Sequence, residues 1–259
     1  MTGKIRIEQS GMVANVWLDN VSKRNAINQS MWVAIGEAFE TFAQSTELRC
    51  IVMRGAGKDA FGSGADIEEF PHTRANREQA TRFARCVHPA LHKVRNCPVP
   101  VLAAIRGVCV GGGLELAAVC DLRVCTDKSR FGVPIARLGA TLAYAELEGL
   151  VNLVGSSVAL ELLLEGRILD STEALAKGMV GRVVPEADFD TEISATIARI
   201  VRGAPLSARW HKKFVARLRN SQPLSEAEIA EGLACFDTED YRIGYQSFLA
   251  KEDPVFVGR

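Results

Sequence analysis

The chain has no excess of charge of either sign: 31 lysines and arginines balance 31 aspartates and glutamates over 259 residues. It therefore lacks the overall basic footprint of a nucleic-acid partner. Its seven cysteines (50, 86, 97, 109, 120, 125 and 235) form no C-x-x-C pair and sit mostly in apolar surroundings. That argues against a zinc site or a disulfide frame, and for reduced structural thiols in a cytoplasmic protein. Charges interrupt every apolar run before membrane-spanning length, so no membrane partner is expected. The first residues, MTGKIRIEQSGMVANVWLDN, hold no apolar segment of signal-peptide kind. Repeats and low-complexity segments are absent too.

What is there is a chain 47% hydrophobic, enough for a sizeable core in one large domain or one domain with an appendage. Ile5 and Ile7 alternate with Lys4, Arg6 and Glu8, as in a half-buried strand. CIVMRG (50–55), PVPVLAAIRG (98–107), DLRVCTD (121–127) and VGRVVPE (180–186) read as further strands. Met31, Ile35, Ala38, Phe39 and Phe42 recur at helical spacing after a cap at Ser30 or Asn28. Helices are also predicted at 75–95, 144–153, 156–165 and near 171–178. From about 188 the pattern is almost wholly helical, broken most clearly at Gly203-Ala204-Pro205. The fold class is α/β: a core over 1–200 and a C-terminal helical region over 201–259.

Two glycine loops follow buried strands. Gly111-Gly112-Gly113 precedes an apolar helix that holds one acid, Glu115; Gly62-Ser63-Gly64-Ala65-Asp66 opens the other. Neither matches a phosphate-binding fingerprint, and close helix packing would explain either loop alone. Together they could each supply one backbone amide to a single oxyanion. Glu115 lies nearly one helical turn beyond Gly112, so it can share that face. In apolar surroundings a carboxyl is shifted toward the proton-transfer range.

FGSGADI (61–67), GVCVGGGLELAAVCDLRV (107–124) and FGVPIARLG (131–139), in this order and spacing, resemble the crotonase (enoyl-CoA hydratase/isomerase) superfamily. KRNAIN (23–28) and LLLEGRILDSTEALAKGMVGRVV (162–184) resemble further blocks of it. The resemblance implies a superhelical core of repeated β-β-α turns, assembled as homotrimers or dimers of trimers. It implies an acyl-CoA thioester as substrate, with coenzyme A part of that substrate and no other cofactor or metal. Carried over by position, Ala65 and Gly112 supply the oxyanion-hole amides and Glu115 is a catalytic glutamate. Lys23 and Arg24 would meet the CoA phosphates. Ala26, Ser63, Asp66, Ile67, Gly111 and Pro134 would line the substrate site, while Phe248 and Lys251 approach the nucleotide, from a neighbouring subunit if the site is shared.

The pattern departs from the family where hydratases carry a second glutamate; here that position is Ile135, which cannot exchange a proton. Tyr144 and Glu146 stand where small residues usually line the acyl pocket, and either could be a surrogate acid or base, against a plainer surface or packing role. His72 could reach the pocket from the segment after the first loop. His88 and His92, four apart, suit a solvated helix face better than a metal site with no third ligand. The leading expectation is a single-glutamate hydratase or double-bond isomerase. The alternative is an acyl-CoA-binding member of the family that lost the chemistry.

Overall fold

The computed structural model describes residues 3–259; residues 1 and 2, where the expected core region begins, lie outside them. The alternating N-terminus forms β1 (Lys4–Ser10), paired antiparallel with β2 (Val13–Asp19), whose Ala14, Val16 and Leu18 point into the core. α1 (Gln29–Ala43) starts at Asn28, whose side chain accepts from the Met31 amide at 2.8 Å. Ser30 already lies inside the helix and donates its hydroxyl to the Asn28 side chain. The extended residue before the first turn is thus the cap.

Three β-β-α turns follow. The first holds β3 (Cys50–Gly55), β4 (Ala60–Gly62), α2 (Phe70–Thr73) and α3 (Arg77–Asn96). The second holds β5 (Val101–Ile105), β6 (Val108–Val110) and α4 (Gly112–Ala118). The third holds β7 (Leu122–Thr126), β8 (Arg130–Gly132) and α5 (Tyr144–Glu165). Then come β9 (Leu169–Asp170), α6 (Ser171–Ala176), β10 (Arg182–Val184) and α7 (Phe189–Arg202). The C-terminal helices are α8 (Pro205–Leu218), α9 (Glu226–Glu231) and α10 (Glu239–Ala250). The first strand of each turn joins a six-stranded sheet, β1-β2-β3-β5-β7-β10, and the second joins a smaller sheet, β4-β6-β8-β9. The chain is an α/β superhelix of β-β-α units with a helical C-terminal region.

β3 and β5 read as unbroken apolar runs because both faces are covered. Ile51, Met53, Ala103 and Ile105 face the main core, whereas Cys50, Val52, Leu102 and Ala104 pack on Phe189 and Ile193 of α7. The strands of the smaller sheet have only two or three residues each, too few to display a period, and the sequence did not announce them.

The two helices expected at 144–153 and 156–165 meet end to end within α5, and the break between them falls at Gly155, whose backbone is non-helical with φ +76°. By length and mean hydropathy α5 could cross a membrane, yet Glu148 and Glu161 interrupt its apolar run as expected. In this fold α5 packs on α3 and α4 and buries Leu150, Ala159 and Leu162. α8 is fastened to the core by Arg209, which donates to the Ser45 carbonyl, and by Lys212, which pairs with Asp121 at 2.5 Å. All seven cysteines are free thiols, and burial pushes Cys50, Cys120 and Cys125 up to about 12.

Candidate active site

The second strands of the first two turns deliver the two glycine loops to one place. Gly62 ends β4, and Gly111 and Gly112 follow β6, its parallel neighbour, so the loops leave the small sheet side by side. Gly64 (φ +106°) and Gly111 (φ +48°) adopt backbone conformations that a side chain would strain. Contact is backbone to backbone: a methyl placed on Gly113 would collide with the Gly62 carbonyl. One placed on Gly112 would lie 3.6 Å from the Gly64 carbonyl carbon and 3.8 Å from the Ala65 nitrogen.

Two amides are left over. Ala65 forms a parallel bridge with Ile27 in which Ile27 N–H donates to Gly64 at 2.7 Å and Asp66 N–H donates to Ile27 at 3.2 Å. In such a bridge the flanking residues make the bonds, so the N–H of Ala65 itself points the other way. Gly112 is the first residue of α4, where an amide has no intrahelical partner. Both residues line a small cavity of about 150 Å³ together with Glu115, Arg74, Pro134 and Ile135. Paired donors of this kind stabilise an oxygen that gains negative charge.

Glu115 is buried one turn into α4. Burial pushes its carboxyl up to about 8, helped by the negative charge of Glu146 and opposed by the positive charge of Arg74. No hydrogen bond offsets the desolvation. The group can therefore hold or release a proton near neutral pH.

The other expected residues divide. Ser63, Ala65, Ile67, Gly111, Gly112, Pro134 and Ile135 line the cavity with Glu115. Ser63 also donates its hydroxyl to the Lys23 carbonyl at 2.9 Å, and Ala26 is buried in the same turn. Asp66 caps the short helical turn after the loop and pairs with Lys23 Nζ at 2.7 Å, and Glu68 pairs with the same ammonium at 2.8 Å. These bonds hold the Lys23 ammonium above its ordinary range. Arg24 instead borders a separate depression with Lys58 and Lys128.

Tyr144 does not reach the cavity. It is the first residue of α5 and 93% exposed, because the chain places the helix start, not its inner face, at this position. Glu146 does not line the cavity either: one oxygen accepts from the Ala143 amide at 2.7 Å, and the other lies 3.3 Å from His88 Nε2. His88 thus faces a carboxylate rather than joining His92. No cluster of three or more metal-ligating side chains occurs among the described residues. His72 is exposed on α2 and outside the cavity wall. Phe248 (83% exposed) and Lys251 sit at the end of α10, away from the cavity of the same chain.

Sequence reasoning missed Arg74, Phe70, Val110, Val133 and Leu138, which also line the wall. The Arg74 guanidinium stacks on Phe83 at 3.7 Å and on Phe70 at 4.6 Å from the ring centres. Nothing local marks an arginine in a polar run as a pocket residue.

The chain is similar to known proteins over nearly its whole length. Residues 8–259 match the family described as Enoyl-CoA hydratase/isomerase. The "Probable enoyl-CoA hydratase echA8" of Mycobacterium tuberculosis is 32% identical over 258 residues, 98% of each chain. The carnitinyl-CoA dehydratase of Salmonella enteritidis is 29% identical over 266 residues, covering 100% of each chain. The crystal structure of an enoyl-CoA hydratase/carnithine racemase from Magnetospirillum magneticum superposes with a TM-score of 0.97 at 47% identity, covering 100% of this chain and 97% of that one.

Proposed function

The chain belongs to the enoyl-CoA hydratase/isomerase (crotonase) family, and from that premise we propose that it binds an acyl-CoA thioester and stabilises its enolate between the Ala65 and Gly112 amides. The observation that carries this reading is the pair of unbonded amides bordering the cavity that Glu115 shares. Negative charge develops on the thioester oxygen when a proton leaves the neighbouring chain, or when water adds to the β-carbon of an enoyl group. Two backbone amides fixed in one cavity wall would meet that oxygen with little reorganisation.

Glu115 is the acid/base. In a double-bond isomerisation its carboxylate takes a proton from one carbon and returns it to another. In hydration it takes a proton from water as the hydroxyl adds to the β-carbon, then gives it to the α-carbon. Either cycle balances with one carboxyl, as it must here, since Ile135 offers no second one. The depression at Arg24, Lys58 and Lys128, whose three cations outnumber Asp59 and Glu186, supports a place for the phosphates of coenzyme A. Lys23, engaged by Asp66 and Glu68, holds the oxyanion loop against the turn before α1. Exposed apolar side chains on the C-terminal helices, Leu218, Ile229, Phe248 and Leu249 among them, support a homotrimer or a dimer of trimers. In that assembly Phe248 and Lys251 would approach a neighbouring subunit's nucleotide. The seven free thiols support a reducing, cytoplasmic setting.

Ile135 also favours a second reading, an acyl-CoA-binding subunit without turnover. One pair of measurements tests the first. Acetoacetyl-CoA, which carries an enolisable carbonyl, should raise the melting temperature more than free CoA does. Equal shifts would overturn the oxyanion site. Binding of varied thioesters with no turnover would favour the second reading.

A further inference from the structure

One charged group in the cavity neither donates to the thioester oxygen nor carries the transferred proton. Arg74 borders the same space as Ala65, Gly112 and Glu115. Its Nε is buried without a hydrogen-bond partner, and no carboxylate among the described residues lies within ion-pair distance of its guanidinium. Two aromatic faces hold it instead, Phe83 and Phe70. Of the acids near it, Glu115 exerts the largest charge effect but makes no ion pair with it, and Glu146 turns one oxygen to the Ala143 amide. Glu69 likewise accepts from the Gln29 amide at 2.8 Å. The rest of the wall facing the acyl space is apolar: Ile67, Phe70, Val110, Val133, Ile135 and Leu138.

We propose that Arg74 is a specificity-determining residue that receives a carboxylate on the acyl chain, so that the preferred substrates are CoA monothioesters of short dicarboxylic acids. This rests on the acyl-CoA reading above. An arginine kept by stacking, with its donors unused, is a planar fork waiting for a planar acceptor, and a carboxylate matches it with two parallel hydrogen bonds. A purely hydrocarbon chain in the same cavity would displace water from the guanidinium and give nothing in return, which is a penalty. The site thus rewards the charged acyl end and rejects the neutral one. With the thioester oxygen held at the loop amides, the small cavity confines the proposal to short chains.

The test compares glutaconyl-CoA with 2-pentenoyl-CoA, matched in chain length and differing in the terminal carboxylate. Dissociation constants and kcat/KM are measured for wild type, Arg74→Leu and Arg74→Lys, with acetoacetyl-CoA binding as reference. Wild type should favour glutaconyl-CoA by about 10- to 100-fold, the range of a charge-assisted bidentate contact. R74L should lose that preference, and R74K, which keeps the charge but not the fork, should retain part of it. Wild type binding both thioesters within about threefold would overturn the proposal, whether or not the variants fold. An equal loss on both substrates in R74L would overturn it too, leaving Arg74 as a tuner of Glu115. If acetoacetyl-CoA binds while the preference is missing, only this proposal fails. If no thioester binds at all, the acyl-CoA reading fails with it.

Discussion

Glu146 adds to the upward shift that burial gives the Glu115 carboxyl, without sharing its cavity: the two carboxyls interact through space while one Glu146 oxygen accepts from the Ala143 amide. Its influence is a field, not a proton path. If Glu115 must be ionised to start the reaction, kcat/KM should rise with pH to a plateau with a midpoint near 8. Glu146→Gln removes a like charge, so the midpoint should move to lower pH. Arg74→Leu removes an opposing charge and should move it higher. A pH-rate profile checks all three; a midpoint that ignores both substitutions would mean that Glu115 is not the titrating group.

Glu115→Gln keeps the shape of the side chain and removes the transferable proton. Turnover of the best thioester should fall about 10²- to 10⁴-fold, while acetoacetyl-CoA binding changes little, because the amides are untouched. Single-turnover rates beside a binding isotherm separate the two effects.

The same substitution has a stability signature. The folded-state pKa of Glu115, about 8, lies above the ordinary glutamate value of 4.5, so between these the folded chain keeps a proton that the unfolded chain releases. The stability this confers is complete below about pH 4.5 and is lost as pH rises through 8. E115Q should therefore gain stability over wild type by a few kcal/mol at pH 8.5 and by little near pH 4.5. Urea melts at the two pH values decide it; a pH-independent difference would contradict the buried-acid picture.

Ile135→Glu would place a second carboxylate in the cavity wall. Hydration of crotonyl-CoA should rise above the wild-type rate if water can enter between the two acids. Ile135 packs partly on the core, so the variant should also lose roughly 1–3 kcal/mol of stability. The measurement is initial hydration rate at fixed folded fraction. A rate at or below wild type would show that more than one carboxylate is missing.

Two glycines separate close approach from helix propensity. Gly113→Ala would push a methyl into the Gly62 carbonyl and force the two loops apart. It should cost more than about 3 kcal/mol and abolish acetoacetyl-CoA binding. Gly36→Ala, inside α1 with no atom nearer than 3.8 Å, should stabilise the fold by up to about 1 kcal/mol. Thermal melts with and without ligand check both.

The long strands and the two glycine loops with Glu115 were legible in the sequence because each leaves a local mark. β3 and β5 are runs of apolar residues bounded by glycine or proline, and a cluster of glycines a few residues beyond each run marks a loop. The short strands of the smaller sheet left no mark, since two or three residues have no period. That sheet is nevertheless what sets the loops side by side. Asn28 and Ser30 were equal as caps until the first helical turn was placed. The sequence by itself determined that an acid and two flexible backbone segments would exist. Tertiary structure alone decided what faces them, because the answer depends on residues distant in the chain. It turned Tyr144 out to solvent, bound Lys23 to Asp66, and brought Arg74 between two phenylalanines to the acid's cavity. The pKa of Glu115 follows from that enclosure: a carboxyl in a heptad of small and apolar residues is ordinary until the surrounding layers exclude the water that would ionise it.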